Sequence, residues 1–225
     1  MISLLSNAFK FCVVVLPWPL KRRMMAWCFG YQLAPDSKIG LSWIWPQRLV
    51  LGKGSRIGHL NVAIHLDLMV LEEASEIVRG NWITGFPVGR SDFFGHQKDR
   101  KPEFLLGKHS AVTKNHHFDC TSRVEIGEFS TIGGYGSRFM THSIDIIKGR
   151  QHSESIQIGA YSFVGTDCTV LGGAALPDFS VLGAKSLLNK TFTESYHLYG
   201  GVPAGKLKPL PHDAVYFGRE QGFVY

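Results

Sequence analysis

Six aliphatic residues, Ile158, Val164, Val170, Leu176, Leu182 and Leu188, recur at intervals of six. A small residue stands four places after each of the first five, at Ser162, Cys168, Ala174, Ser180 and Ser186. Glycine directly follows three of the aliphatics, at Gly159, Gly165 and Gly183. This period fits neither an amphipathic helix nor a simple strand. Self-similarity at a period of six marks a hexapeptide-repeat parallel β-helix, in which three hexads close one triangular coil. In such a coil the aliphatic residue points inward, the small residue fits the tightening wall, and the glycine relieves the corner.

The pattern recurs upstream in broken phase. Leu51, Ile57 and Val62 form one set, and Leu71, Ile77 and Ile83 a second. Leu106, Val112, Phe118 and Val124 form a third, and Ile126 and Ile132 a fourth. Small residues again stand at Ser55, Ser75, Ser110, Ser122 and Ser130. Each slip of phase is an insertion at a solvent-facing corner. Two are long, over about 84–105 and about 143–156, and long loops on a rigid repeat scaffold commonly carry function. The chain therefore divides into an N-terminal helical cap segment (1–38), a hexapeptide-repeat domain (39–193) and a non-repeat C-terminal tail (194–225).

The net charge of +6 suits an anionic small molecule, an anionic glycan or a membrane surface. No basic run exceeds Lys21-Arg22-Arg23 and no nucleic-acid-binding signature is present, so no nucleic-acid partner is expected. The four cysteines show no paired spacing, which points to a reducing compartment. Asn7–Leu20 is apolar but short for a span and is broken by Pro17 and Pro19. Leu20–Tyr31 reads as a short helix with Met24, Trp27 and Cys28 on one side. A solenoid needs its open end covered, so this segment reads as a cap. Phe9, Phe11, Trp18 and Trp27 beside the basic triplet also suit peripheral contact with a membrane. The expected location is cytoplasmic, peripheral at the inner membrane surface.

Four phrases carry a resemblance: THSID at Thr141–Asp145, IGAYSFVGTDCTVLGG at Ile158–Gly173, LPDFSVLGAKSLLNK at Leu176–Lys190 and GVPAGK at Gly201–Lys206. Together they resemble the hexapeptide-repeat acyltransferases that use acetyl-CoA. That family includes galactoside, maltose and serine acetyltransferases and the enzymes that O-acetylate bacterial polysaccharides. The likeness covers roughly residues 39–208 and is specific only in its C-terminal half. It implies a left-handed parallel β-helix, a homotrimer, and acetyl-CoA as co-substrate in the groove between subunits.

In the family a histidine at the end of a coil acts as base, and His142 matches it in position. A sugar hydroxyl is a weak nucleophile until its proton is removed, and a neutral imidazole is suited to that task near pH 7. Asp145, closest in sequence, is the expected orienter of the ring, with Asp119 and Glu154 as alternatives. The resemblance places Thr166, Ala184 and Lys190 against CoA. Gly205 stands where the family has a basic residue after Pro-Ala, so Lys206 or Lys208 would substitute. Acceptor contacts are expected from His116, His117, Arg90 and Phe94, with Phe86 and Phe93 as sugar-stacking rings and Arg100 and Lys101 as holders of an acidic group.

The resulting expectation is an O-acetyltransferase acting on a sugar or polysaccharide precursor. N-acetylation of an amino sugar, a longer acyl donor, and a non-catalytic β-helix scaffold are the alternatives. A zinc enzyme of the carbonic-anhydrase type would use the same scaffold but needs converging histidines, typically as HxxxxH. Ile147 stands where that spacing from His142 would put a histidine, so no metal is expected.

Overall fold

The computed structural model describes residues 2–89, 92–222 and 224. Two helices, α1 (Ile2–Val15) and α2 (Trp18–Phe29), precede seven coils of three short strands each. The first coil opens at Gln32–Leu33 and the seventh ends at Leu187–Leu188. Equivalent strands of successive coils pair in parallel, giving three sheets that form the faces of a left-handed parallel β-helix. The first face runs from Gln32–Leu33 to Ala175–Leu176. The second runs from Lys38–Ile39 to Val181–Leu182, and the third from Trp43–Trp45 to Leu187–Leu188.

The hexad aliphatics fill the prism: Ile57, Ile77, Val112, Ile132, Val164 and Leu182 stack down the second face, each almost fully buried. In the second coil the inward residue of the third face is Ala63, not Val62. The period of six is kept from Leu51 through Ile57 to Ala63, which puts Val62 in the outer row beside Trp43 and Trp82.

The small residues are mostly hydroxyls for a reason beyond size. Where the first face turns into the second, Ser110 Oγ accepts the Ser130 N–H (2.9 Å), Ser130 Oγ that of Ser162 (2.8 Å), and Ser162 Oγ that of Ser180 (3.3 Å). A corner cannot pair every backbone N–H through the strand ladder, and these side chains supply the missing acceptors. The left-handed backbone at these corners falls to aromatic residues. His109, Phe129, Tyr161, Phe179 and Tyr196 all have φ between 52° and 56°. Their rings, with His212, stack in one column at centroid spacings of 3.8–5.3 Å. Gly159 instead permits close approach, since a Cβ there would stand 2.4 Å from Asp178 N.

Between the second and third faces a similar ladder runs through Asn61, Asn81, His116 and Ser137. His116 is therefore a wall residue, fully buried, and not an acceptor contact. Its Nδ1 accepts the Ser137 N–H (3.2 Å), so Nε2 carries the proton and donates to Thr113 Oγ1 (3.0 Å). Burial, and secondarily the neighbouring His117, pulls its pKa down to about 4 from the ordinary 6.5. The unfolded chain binds the extra proton between these values. Stability is thus full above pH 6.5 and is lost as pH falls towards 4, by on the order of 3 kcal/mol. Asn81 fills the same rung one coil earlier, so His116→Asn should fold and lose this part of the acid sensitivity. Urea midpoints from pH 7 to 4 check it; equal slopes for both proteins would contradict it.

Helix α2 closes the first coil with Lys21 and Met25 buried and Trp18, Met24 and Phe29 packed on the core. Of the residues expected on one side of this helix, Met24 packs on the core while Trp27, by 88%, and Cys28 are exposed. Lys21 Nζ donates to Gly40 O (2.7 Å) and Val14 O (3.3 Å), tying both helices to the coil. Among the described residues, no helix is long and apolar enough to cross a membrane. At the other end His197–Gly201 extends the second face and pairs antiparallel with Ala204–Pro209. The following tail lies on the aromatic column: Phe217 meets Phe179 and Tyr196 edge-on, and Tyr216 Oη donates to Ser162 O (3.1 Å).

Candidate active site

Both long insertions leave the prism where the third face turns into the first face of the next coil. Residues 85–102 follow Trp82–Thr84 in the third coil, and residues 141–155 follow Arg138–Met140 in the fifth. The fourth coil turns tightly at this corner, between His117–Asp119 and Val124–Ile126. The second insertion is an antiparallel hairpin, His142–Asp145 with Arg150–Ser153. Its root is tight, since a Cβ at Gly172 would stand 2.6 Å from Thr141 O. His142 is the first residue of this hairpin.

The imidazole partner is Asp119, not Asp145. Asp119 lies one coil before the hairpin root, in register with Met140. His142 Nδ1 is 2.7 Å from Asp119 Oδ2, which also accepts the His142 backbone N–H (3.2 Å). Asp119 Oδ1 accepts from Thr121 N (3.0 Å) and Thr121 Oγ1 (2.6 Å). An ionised carboxylate only accepts, so Nδ1 carries the proton and Nε2 keeps its lone pair. Asp145 is occupied in the hairpin, where the Lys148 backbone N–H (3.1 Å) holds its carboxyl below the usual range. Glu154 faces His152, with Nε2 and Oε1 3.3 Å apart.

The first insertion walls the ring. Phe86 and Phe94 stand edge-on to His142 at 6.0 and 6.1 Å. Phe94 is buried and is therefore part of this wall, not a free platform for a sugar. The Arg100 guanidinium covers Phe94 at 4.4 Å and donates to Phe86 O and Thr121 O, both at 2.5 Å. It braces the loop and is not free for an acidic ligand. Gln97 joins the insertions: its Nε2 donates to Ser153 O (2.7 Å) and its Oε1 accepts from Ser153 N (3.0 Å). Ser153 is the cross-strand neighbour of His142. His117 is exposed on the third face between Trp82 and Arg138, and Arg90 lies outside the described residues.

His142 also lines a cavity of about 310 Å³ with Met140, His152, Leu171 and Asn189. Lys190 directly follows Asn189, its Nζ 5.1 Å from the Phe192 ring. Thr166 and Ala184 are on neighbouring rungs of a different corner, between the second and third faces. The Thr166 hydroxyl is committed to the Tyr135 backbone, donating to O (3.0 Å) and accepting from N (3.1 Å). Among the described residues neither the Thr166 nor the Ala184 backbone N–H has an acceptor. Lys206 pairs with Glu194, and Lys208 is exposed on the C-terminal hairpin. One chain thus brings His142, Asp119, Phe86 and Phe94 together but leaves Thr166, Ala184, Lys206 and Lys208 elsewhere. Among the described residues no group of three or more His, Cys, Asp or Glu side chains is placed to hold a metal.

Asp119, Gln97 and Ser153 complete this arrangement from sites distant in sequence. The signal for Asp119 was the coil register itself, which sets it beside Met140, two residues before His142.

Coils of this hand and repeat length define a left-handed hexapeptide-repeat β-helix. No family model matches the sequence, and no curated protein matches it. Among solved structures, the polysialic acid O-acetyltransferase OatWY is similar over 83% of this chain and 90% of its own, with 16% identity and a TM-score of 0.57. A variant of AntD, an N-acyltransferase from Bacillus cereus in complex with dTDP and coenzyme A, is similar over 82% of this chain and 86% of its own. Its identity is 11% and its TM-score 0.51. At these identities the likeness is one of fold.

Proposed function

We propose that this chain is an acetyl-CoA-dependent O-acetyltransferase of sugar or glycan hydroxyls, with His142 as general base and Asp119 as its orienter. The observation that carries it is the 2.7 Å contact between Nδ1 and a carboxylate whose other oxygen is already held by Thr121. That contact fixes the tautomer that leaves Nε2 basic. The acceptor hydroxyl attacks the thioester carbonyl carbon, and Nε2 takes its proton. The C–S bond then breaks, and the proton passes to the departing thiolate, giving the acetyl ester and CoA thiol. No enzyme nucleophile is required.

The Thr166 and Ala184 N–H groups, without acceptors among the described residues, suit the amide carbonyls of the pantetheine arm. From Thr166 to Gly172 the chain spans the whole third face, roughly 20 Å at 3.3 Å per residue, so one copy's donor corner does not reach its own His142. A second copy supplying that corner makes the site complete, consistent with the trimer expected from the resemblance. The positive net charge and the likeness to OatWY favour an acidic glycan as acceptor.

The test is thiol release from acetyl-CoA with a panel of maltose, glucosamine, polysialic acid, oligogalacturonate and hyaluronan fragments. Release that depends on a hydroxyl acceptor, from a particle three times the 25.0 kDa chain by light scattering, is the expected outcome. No release with any member of the panel, or release with glucosamine alone that yields an alkali-stable amide, would overturn O-acetylation. A monomeric mass would overturn the shared site.

A further inference from the structure

A second cavity, of about 460 Å³, opens on the same edge of the prism as His142, at its N-terminal end. Its lining includes Lys10 from α1, Trp43 and Trp45 from the third-face strand of the first coil, Gln47 from the turn that follows it, His65 from the equivalent turn of the next coil, and Pro87 from the first long insertion. Lys10 Nζ lies 5.5 Å from the centre of a Trp45 ring. Among the described residues no carboxylate is within ion-pair reach of it.

Indole walls and a cation with no carboxylate partner among the described residues select a ligand with a flat apolar face and negative charge. A sugar acid has both: the C–H face of its ring for indole and its carboxylate for the ammonium. The cavity is also joined to the candidate active site. Gln47 Nε2 donates to Asp67 Oδ1 (2.7 Å), and Asp67 Oδ2 accepts the Val88 N–H (3.3 Å). Val88 and Pro87 continue directly from Phe86, the ring set against His142. Trp45 ends the first coil and Met140 the fifth, four rises of ~4.8 Å, or about 19 Å along one edge.

Resting on the glycan-acceptor reading above, we infer that this cavity is a distal subsite for a carboxylated sugar polymer, holding a residue several units from the one acetylated. Its test is binding, without acetyl-CoA, so that it is separate from turnover. Tryptophan emission is followed while oligogalacturonate, hyaluronan fragments or neutral malto-oligosaccharide is added to the full chain, with Lys10→Met and Trp43→Ala alongside. The expected result is saturable binding of an acidic glycan by the wild type, weakened about tenfold in both variants. Lys10 is on the outer helix, so Lys10→Met keeps the test open if Trp43→Ala fails to fold. Lys10→Met affinity within about twofold of wild type, malto-oligosaccharide binding as tightly as the acidic glycans, or no binding of either acidic glycan overturns the subsite. Binding that behaves as expected in a protein that transfers no acetyl group would refute the proposed activity alone.

Discussion

His142→Ala is expected to slow acetyl transfer by about 10²–10⁴-fold, the range a positioned general base contributes. The loss should appear in kcat, because the imidazole acts on a proton that moves only as the thioester is attacked. The fold should survive. His142 stands on a hairpin outside the prism, and its removal leaves Asp119 still accepting from Thr121 and from the backbone N–H of residue 142. Asp119→Asn removes the orienter with little change of shape. An amide can donate to Nδ1 as readily as accept from it, which moves the ring proton to Nε2 and withdraws the base; a fall of about 10²-fold or more is expected. Initial rates of thiol release check both, with melting temperatures to show that each variant is folded.

Phe139→Ala is expected to cost about 3–5 kcal/mol of stability. Phe139 is fully buried in the fifth coil and stacks on Phe118 at 4.6 Å, while Phe118 meets Phe104 edge-on at 5.2 Å. Three rings in a narrow prism cannot close over a missing one, because each wall is fixed by its ladder to the coils on either side. Ile147→Ala is the contrast: that side chain is 97% exposed at the hairpin tip, and its loss should change stability by less than about 0.5 kcal/mol. Urea unfolding of the three proteins measures the difference. A Phe139→Ala cost below about 1 kcal/mol would mean that the prism relaxes far more than its packing implies.

The coils were legible because burial inside a three-sided prism recurs strictly by residue count. Ile158 to Leu188 could be placed on their faces from spacing alone, and both long insertions showed as breaks in it. The single misplaced inward residue, Val62 for Ala63, came from looking for a large aliphatic where the prism accepts a small one. The corner chemistry was less legible. Aromatic residues directly precede Ser110, Ser130, Ser162 and Ser180, yet a left-handed backbone normally suggests glycine or asparagine, so their stacked column went unread. His116 looked like a ligand-facing histidine because its rung is shared by Asn61 and Asn81, which do not resemble it in sequence. Of the candidate site, His142 was singled out by the resemblance, which implies a basic histidine at the end of a coil. Asp119 was one of three candidate carboxylates, with Asp145 and Glu154, and proximity in sequence favoured Asp145, whereas the imidazole contact is made by Asp119. A repeat brings together residues one coil apart, and sequence neighbours on a hairpin can point elsewhere.

The central claim is that His142 and Asp119 work as one unit, and turnover of the double variant His142→Ala/Asp119→Asn tests it most directly. If Asp119 acts only through the imidazole, it has nothing left to orient once the ring is gone. Acetyl transfer by the double variant should then match that of His142→Ala alone within about twofold. A double variant slowed by the product of the two single effects would contradict the account, because it would mean that Asp119 serves the reaction without His142.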